Sequence, residues 1–240
     1  MVVAQDHEGG RGRGRLSREK VLTAAVTVVD REGLASLSMR RVADELGVEA
    51  MALYRYTPSK EDLLDGIVEA LFLEAERLLA DTPEPEDPAA WRAALERQAL
   101  AIYRVALAHP LVAPLVATRP LSVPFARRPR PVLRCHERVL GLLRRSGMSD
   151  DEALTLYRRI LAWVLGYIVV ELRQTVDAPD ETEPAFRMGL HRIPPAEFPH
   201  LRAVGPRLAQ RGGEQHLLAG LAALLTTPGP SRPPSDSGGR

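Results

Sequence analysis

Between Ser38 and Lys60 the chain carries Arg40, Tyr54, Arg55, Tyr56 and Lys60 on a stretch otherwise written as short helices. Aromatic and cationic side chains stand there where a core helix would be apolar. The chemistry such groups support is contact with nucleic acid, made when the second helix of a helix-turn-helix enters the major groove. No other chemistry presents itself. There is no Gly-rich phosphate loop, nucleophile elbow or His-Glu-x-x-His helix. Of the six histidines, only His109, His136, His191 and His200 could gather into a cluster, and a His beside Pro is more often a turn residue than a ligand. Without an acid–base constellation, a helical enzyme is the least supported reading, and no catalytic residue, metal site or cofactor is assigned.

Two short helices and a tight turn must position these groups. The Ser38 hydroxyl can cap the first helix, and Val42, Ala43 and Leu46 then share one face. Gly47 supplies a left-handed helix end, Leu53 points the second helix into the same core, and Thr57-Pro58-Ser59 stops it. Ahead of this pair, Leu16 to Arg31 reads as a scaffold helix capped by Ser17, with Leu16 stapled onto Val21 and Gly33 as its end. After it, Ser59 and Asp62 open a long fourth helix reaching about Leu79, which joins the head to the body.

With these residues in place, Leu16 to Phe72 resembles the DNA-binding domain of TetR-type repressors. The likeness is carried by Ala24-Ala25, Gly33, Leu37-Ser38-Met39-Arg40, Val42 to Val48, Ala52-Leu53-Tyr54, Lys60 and Leu63-Leu64. It implies that Tyr54 and Lys60 contact the DNA backbone, that Arg40 reaches a guanine, and that Ala50, Met51 and Arg55 occupy recognition positions. With Ser38 and Tyr56 these make up the expected DNA-binding set. The resemblance further implies a body that carries an inducer pocket and the dimer interface. Ala117-Thr118-Arg119-Pro120 looks like a loop of the tetracycline-responsive members, in which a preceding histidine coordinates drug-bound magnesium. The matching position here is Leu115, and their polar drug contact late in the fourth helix falls on Glu76.

Composition fits an all-α fold. Of 240 residues, 45% are hydrophobic and 5% aromatic, enough apolar content for a core built from helices. Net charge is +1, but Arg11 to Lys60 holds ten cations against six carboxylates, a basic end on a slightly acidic remainder. A single cysteine, Cys135, excludes an internal disulfide and suits a reducing cytoplasm. The N-terminus lacks an apolar signal core, and no charge-free apolar run of 18 residues points to a membrane span.

The expected organisation is a basic disordered tail at 1–15, a head at 16–62, a helical regulatory and dimerisation body at 63–227, and a disordered tail at 228–240. Alternating Arg and Gly in the first tail favour plain solvation over a minor-groove arm. In the body, proline-rich Asp81 to Pro88 is a break. Helices are expected at Trp91 to Ala108, Leu111 to Ala117, Val132 to Arg145, Ser149 to Val176 and His216 to Leu225, with loops at Arg119 to Pro131 and Asp177 to Pro199. The Ser149 helix is apolar nearly all round and must be covered on both sides. One face holds Leu154, Tyr157, Leu161, Val164, Leu165, Ile168 and Leu172; the other holds Leu156, Ile160, Trp163, Tyr167 and Val170. Paired with His216 to Leu225, it predicts a homodimer sealed by four helices; which of the two faces is intermolecular stays open, and a glutamate at Val164, Ile168 or Leu221 is expected to give monomers or insoluble protein. Tyr103, Trp163, Tyr167 and Phe186 could line a pocket, though aromatics at helical spacing usually fill a core. The expected lining is Leu71, Ala75, Tyr103, Leu115, Trp163 and Tyr167, with Glu76, Thr118 and Arg119 orienting a mostly apolar, metal-free inducer. The expected function is ligand-responsive repression by a homodimer on a palindromic, double-stranded operator. The alternative is an activating or architectural DNA-binding protein without a small ligand.

Overall fold

A computed structural model describes residues 15–80, 87, 90–172, 180–208 and 210–226. The arginine-glycine tail before residue 15, most of the break at 81–89 and the tail after 226 lie outside the described residues. The described chain is helical throughout: α1 (Arg18–Glu32), α2 (Met39–Leu46), α3 (Ala50–Leu53), α4 (Lys60–Ala80), α5 (Trp91–Ala108), α6 (Ala113–Thr118), α7 (Arg130–Arg145), α8 (Asp150–Leu172), α9 (Pro184–Arg187), α10 (Pro199–Leu208) and α11 (Gly213–Thr226).

Local chemistry sets the helix starts. Ser17 accepts from the Lys20 N–H at 3.2 Å and Ser38 from the Arg41 N–H at 3.2 Å, each satisfying a free donor of a first turn. Ser59 accepts from the Asp62 N–H at 3.0 Å. At α8 the capping box closes in both directions, with the Ser149 N–H donating to Glu152 at 2.9 Å and the Glu152 N–H donating to Ser149 at 3.4 Å. Gly47 ends α2 at φ 64°, ψ 39°, a left-handed conformation that a Cβ would strain.

The head is α1 to α3 folded against the first turns of α4. Val21, Ala25 and Val29 of α1 share one core with Val42 and Ala43 of α2, Leu53 of α3 and Leu63 and Ile67 of α4, all essentially fully buried. The body packs α5 against α4, α7, α8 and α11, and α8 against α6, α7 and α11. Helix α4 therefore belongs to both parts.

Two expectations change. The stretch from Asp177 to Pro199 is not plain loop: it contains α9 and a 3-10 turn at Leu190–Arg192, and α10 begins at its end. Pro199 is tolerated there because a first-turn N–H has no intrahelical partner to lose. The Arg119 to Pro131 loop likewise contains 3-10 turns at Arg119–Ser122 and Phe125–Arg127, and α7 already starts at Arg130. Helix α8 is by length and composition apolar enough to cross a membrane, although Arg158, Arg159 and Glu171 leave no 18-residue stretch of it free of charge, and 28% of its most apolar window is buried within the chain.

Candidate nucleic-acid interface and regulatory cavity

The head sorts its cations into two groups. Arg41 pairs with Glu32, and Arg31 bridges Glu32 at 2.9 Å and Glu45 at 2.7 Å, tying α1 to α2. Arg41 first and then Arg31 hold the Glu32 carboxyl down to about 2. Arg18 reaches Glu69 at 2.7 Å and ties α1 to α4. By contrast, Arg40, Arg55 and Lys60 are exposed and have no ion-pair partner among the described residues. Charges that scaffold a head are neutralised internally; charges that bind phosphate must stay available to it. Met51 is 77% exposed and Tyr54 is 44% exposed, so α3 and the turn after it present their side chains outward, while Ala50 is half-buried.

The remaining two residues of the DNA-binding set hold structural positions. Ser38 uses its oxygen as the cap of α2. Tyr56 is half-buried, and its hydroxyl donates to the Leu16 carbonyl at 2.8 Å, fastening the entry of α1 to the end of the recognition turn. Nothing in the Leu16 or Tyr56 spacing announced that bond, which spans the whole head.

The body holds a cavity of about 70 Å³ between α4, α5, α7 and α8. That is several times the space one water needs. Its walls are mainly aliphatic: Phe72 from α4, Leu95 and Ile102 from α5, Val139 from α7, and Ile160 and Val164 from α8. Half-exposed Leu161 and Leu165 edge it. Polar groups enter at Gln98, Cys135, His136 and Tyr157. Burial, followed by the Arg128 charge, pushes His136 down to about 4, so its imidazole is neutral at pH 7. Burial pushes the Cys135 thiol up to about 12, which leaves it an unreactive thiol.

The residues expected to line an inducer pocket lie elsewhere in the body. None of the nine faces this cavity. Trp163 donates from Nε1 to the Leu217 carbonyl at 3.0 Å and Tyr167 donates to the Gly213 carbonyl at 2.7 Å, so both rings cement α8 to α11. The Tyr103 ring lies tilted against Tyr167 at 5.8 Å, and its hydroxyl donates to Glu171 at 3.3 Å. Glu76 is held by Arg134 through two bonds of 2.7 Å. Arg119 is held by Glu61 and by Asp65, the latter at 2.6 Å, and Thr118 donates to the Pro114 carbonyl at 2.8 Å. Leu115 and Ala75 are packed core, and Leu71 borders a crevice of about 10 Å³ beside Phe72, Ile102 and His109. Phe186 is exposed and stacks on His191 at 4.8 Å. Among the described residues no three His, Cys, Asp or Glu side chains converge as a metal would need. The residues the sequence reading missed, Gln98, Cys135 and Tyr157, gave no signal beyond helical spacing.

His109, just past α5, joins body to head. Its Nδ1 lies 2.6 Å from Asp30 on α1 and its Nε2 lies 3.1 Å from Glu74 on α4. Burial opposes the imidazolium, but the bonds and charges of Asp30 and then Glu74 outweigh it and raise the pKa above 6.5. A raised folded-state pKa adds stability that is complete below the ordinary value and is lost as pH climbs through the raised one. The expected result is that wild type melts above His109→Gln below about pH 6.5, and that this gap closes toward alkaline pH. A gap independent of pH in thermal melts would show that the two carboxylates do not sense the His109 proton.

Fold and surface define a helix-turn-helix DNA-binding regulator. A family model described as "Bacterial regulatory proteins, tetR family" matches residues 21–67, and one described as "Tetracyclin repressor-like, C-terminal domain" matches residues 84–226. The chain belongs to the TetR family of transcriptional regulators. It is 38% identical over 66% of its length to the HTH-type transcriptional repressor DrrR1 of Streptomyces coeruleorubidus, of which it spans 55%. It is 31% identical to an HTH-type transcriptional regulator of Saccharopolyspora erythraea, with 89% of this chain and 87% of that one covered. Among solved structures, a possible TetR family regulator from Streptomyces coelicolor aligns with TM-score 0.69 at 27% identity, covering 87% of this chain and 97% of that chain. BioQ solved with its double-stranded DNA operator aligns with TM-score 0.56 at 25% identity, covering 87% of this chain and 99% of that chain.

Proposed function

We propose that the protein is a homodimeric repressor that leaves a palindromic operator when a small, mostly apolar, metal-free inducer enters the α4–α5–α7–α8 cavity. The observation that carries this is the unbroken helix α4. Its first residue is Lys60, an unpaired cation of the DNA-binding head, and twelve residues later Phe72 forms cavity wall. An occupant that binds better to a body with a different α4 angle shifts the population away from the DNA-binding head spacing. Two heads must sit in successive major grooves about 34–36 Å apart. The reading keeps the head at 16–62 and the body at 63–227, in a cytoplasmic protein that spans no membrane.

Support for the dimer comes from the outer side of α8. Ala162, Gly166 and Val170 are exposed there, with Leu161, Leu165 and Val169 half-exposed beside them. On α11, Ala219, Ala222 and Ala223 are exposed and small. Small and aliphatic residues on two adjacent helices let a second copy approach closely and form a four-helix seal. This also accounts for the apolar length of α8 without a bilayer.

The test is operator binding with purified full-length chain. Arg40→Ala is expected to cost about 1–3 kcal/mol at one symmetric base pair and to relax preference there. Lys60→Ala is expected to weaken all duplexes alike and lower the salt slope by about one. Uniform loss for Arg40→Ala would move that residue to the backbone, and unchanged low-salt binding for Lys60→Ala would remove it from the interface. Operator release by a compound that also raises the melting temperature separates repression from the ligand-free architectural reading. Stabilisation by tetracycline that vanishes on magnesium chelation would overturn the metal-free inducer.

A further inference from the structure

The cavity's hydrogen-bonding pattern narrows its occupant, on the reading that this cavity is the inducer site. Arg128 is fixed on two sides: its Nε donates to the Val123 carbonyl at 3.0 Å, and its guanidinium lies 3.8 Å over the Phe125 ring. Its Nη1 is 3.3 Å from His136 Nε2. A guanidinium only donates, so Nε2 must accept. In a neutral imidazole the proton then resides on Nδ1. Nδ1 is 2.8 Å from the Tyr157 phenol oxygen, so the imidazole donates and the phenol oxygen accepts. The Tyr157 proton is left without His136 as its acceptor, and Tyr157 stands in the cavity wall. Burial raises the phenol's pKa, so that proton stays on.

Gln98 repeats the pattern. Arg138 Nη1 donates to its Oε1 at 3.3 Å, which places the NH₂ toward Cys135, where Nε2 lies 3.5 Å from Sγ. An NH₂ has two protons, and one such contact engages only one of them. The apolar walls therefore carry donors from two sides, and the nearby arginines are turned away onto the acceptors behind them. A buried donor without an acceptor is costly, and a ligand that supplies the acceptor removes that cost.

We propose that the occupant is a neutral cyclic or aromatic carbonyl compound whose C=O oxygen accepts the Tyr157 hydroxyl proton, with Arg128 and His136 setting the direction of that proton. Arg128 is here a positioning residue.

The experiment compares 1-indanone with indane, which share a skeleton and differ by the carbonyl, by calorimetry on the wild-type dimer. 1-Indanone is expected to bind about tenfold tighter. Tyr157→Phe should bring the two probes to within about twofold, with indane affinity unchanged and the helical signal intact. Nitrogen-15 spectra should show His136 as the Nδ1–H tautomer at pH 7, and Arg128→Met should relax both the tautomer and the indanone preference. Equal binding of both probes to wild type, a preference that survives Tyr157→Phe, or an Nε2–H tautomer would overturn the inference and leave the cavity reading standing. Binding of neither probe would overturn both.

Discussion

Ala162→Glu is expected to leave each chain folded and to abolish tight operator binding. Ala162 is exposed midway along α8, on the side turned away from the chain's own core. A glutamate there costs the single chain little. In a two-fold dimer sealed by α8 and α11 it would be buried beside apolar residues, where an unpaired charge costs several kcal/mol. Monomers lose the linkage that makes the second head's binding intramolecular, and affinity should fall by about 10²–10⁴-fold. Sedimentation velocity should report a monomer, circular dichroism an unchanged helix content, and fluorescence anisotropy at fixed salt the lost affinity. A variant that stays dimeric and binds normally would place the interface elsewhere.

The opposite outcome is expected for Leu221→Glu. The sequence leads to either monomers or insoluble protein for a charge at Leu221, Val164 or Ile168, and the burial of all three inside the single chain, at 0%, 8% and 2% exposure, favours the second outcome. Leu221 sits on α11 beside Gly220, whose own Cβ, if added, would stand 2.0 Å from the Trp163 ring. Leu221 itself is 0% exposed, so a carboxylate there would be buried without solvent and would cost several kcal/mol. Against a total stability of about 5–15 kcal/mol, the body should be largely unfolded or insoluble. A soluble variant with the wild-type melting temperature and a monomeric mass would restore Leu221 to the interface.

This contrast marks where sequence stops informing. Ser17, Ser38, Ser59 and Ser149 announced four helix starts because capping is local, involving atoms three residues apart. The Gly47 corner was readable for the same reason. The cavity was not, because a cavity is missing atoms between helices far apart in sequence, and Leu95, Val139 and Ile160 look like any core residues. Trp163 and Tyr167 drew attention as aromatics and proved to be packing, their polar tips consumed by α11 carbonyls. The role of each face of α8 stays open in the sequence for a related reason. Which of two apolar faces meets α11 depends on the path of the chain between Leu172 and Gly213, and periodicity carries no record of it.

At Gly66 a Cβ would lie 2.3 Å from Leu22 Cδ2, so α1 presses directly on the α4 backbone. Arg18 and Glu69 clasp the same crossing from outside at 2.7 Å. So tight a joint leaves α1 little room to shift on α4, and on the proposed function the head turns with α4. From Phe72 to Lys60 is about 18 Å at 1.5 Å per residue. A tilt of about five degrees pivoting at the cavity wall thus sweeps the start of α4 sideways by roughly 1.5 Å, and a second copy tilting the opposite way doubles the change in head separation. On the proposed function helix α4 is a lever with the cavity at its fulcrum, and the bare backbone at Gly66 is where Leu22 of the head seats against it.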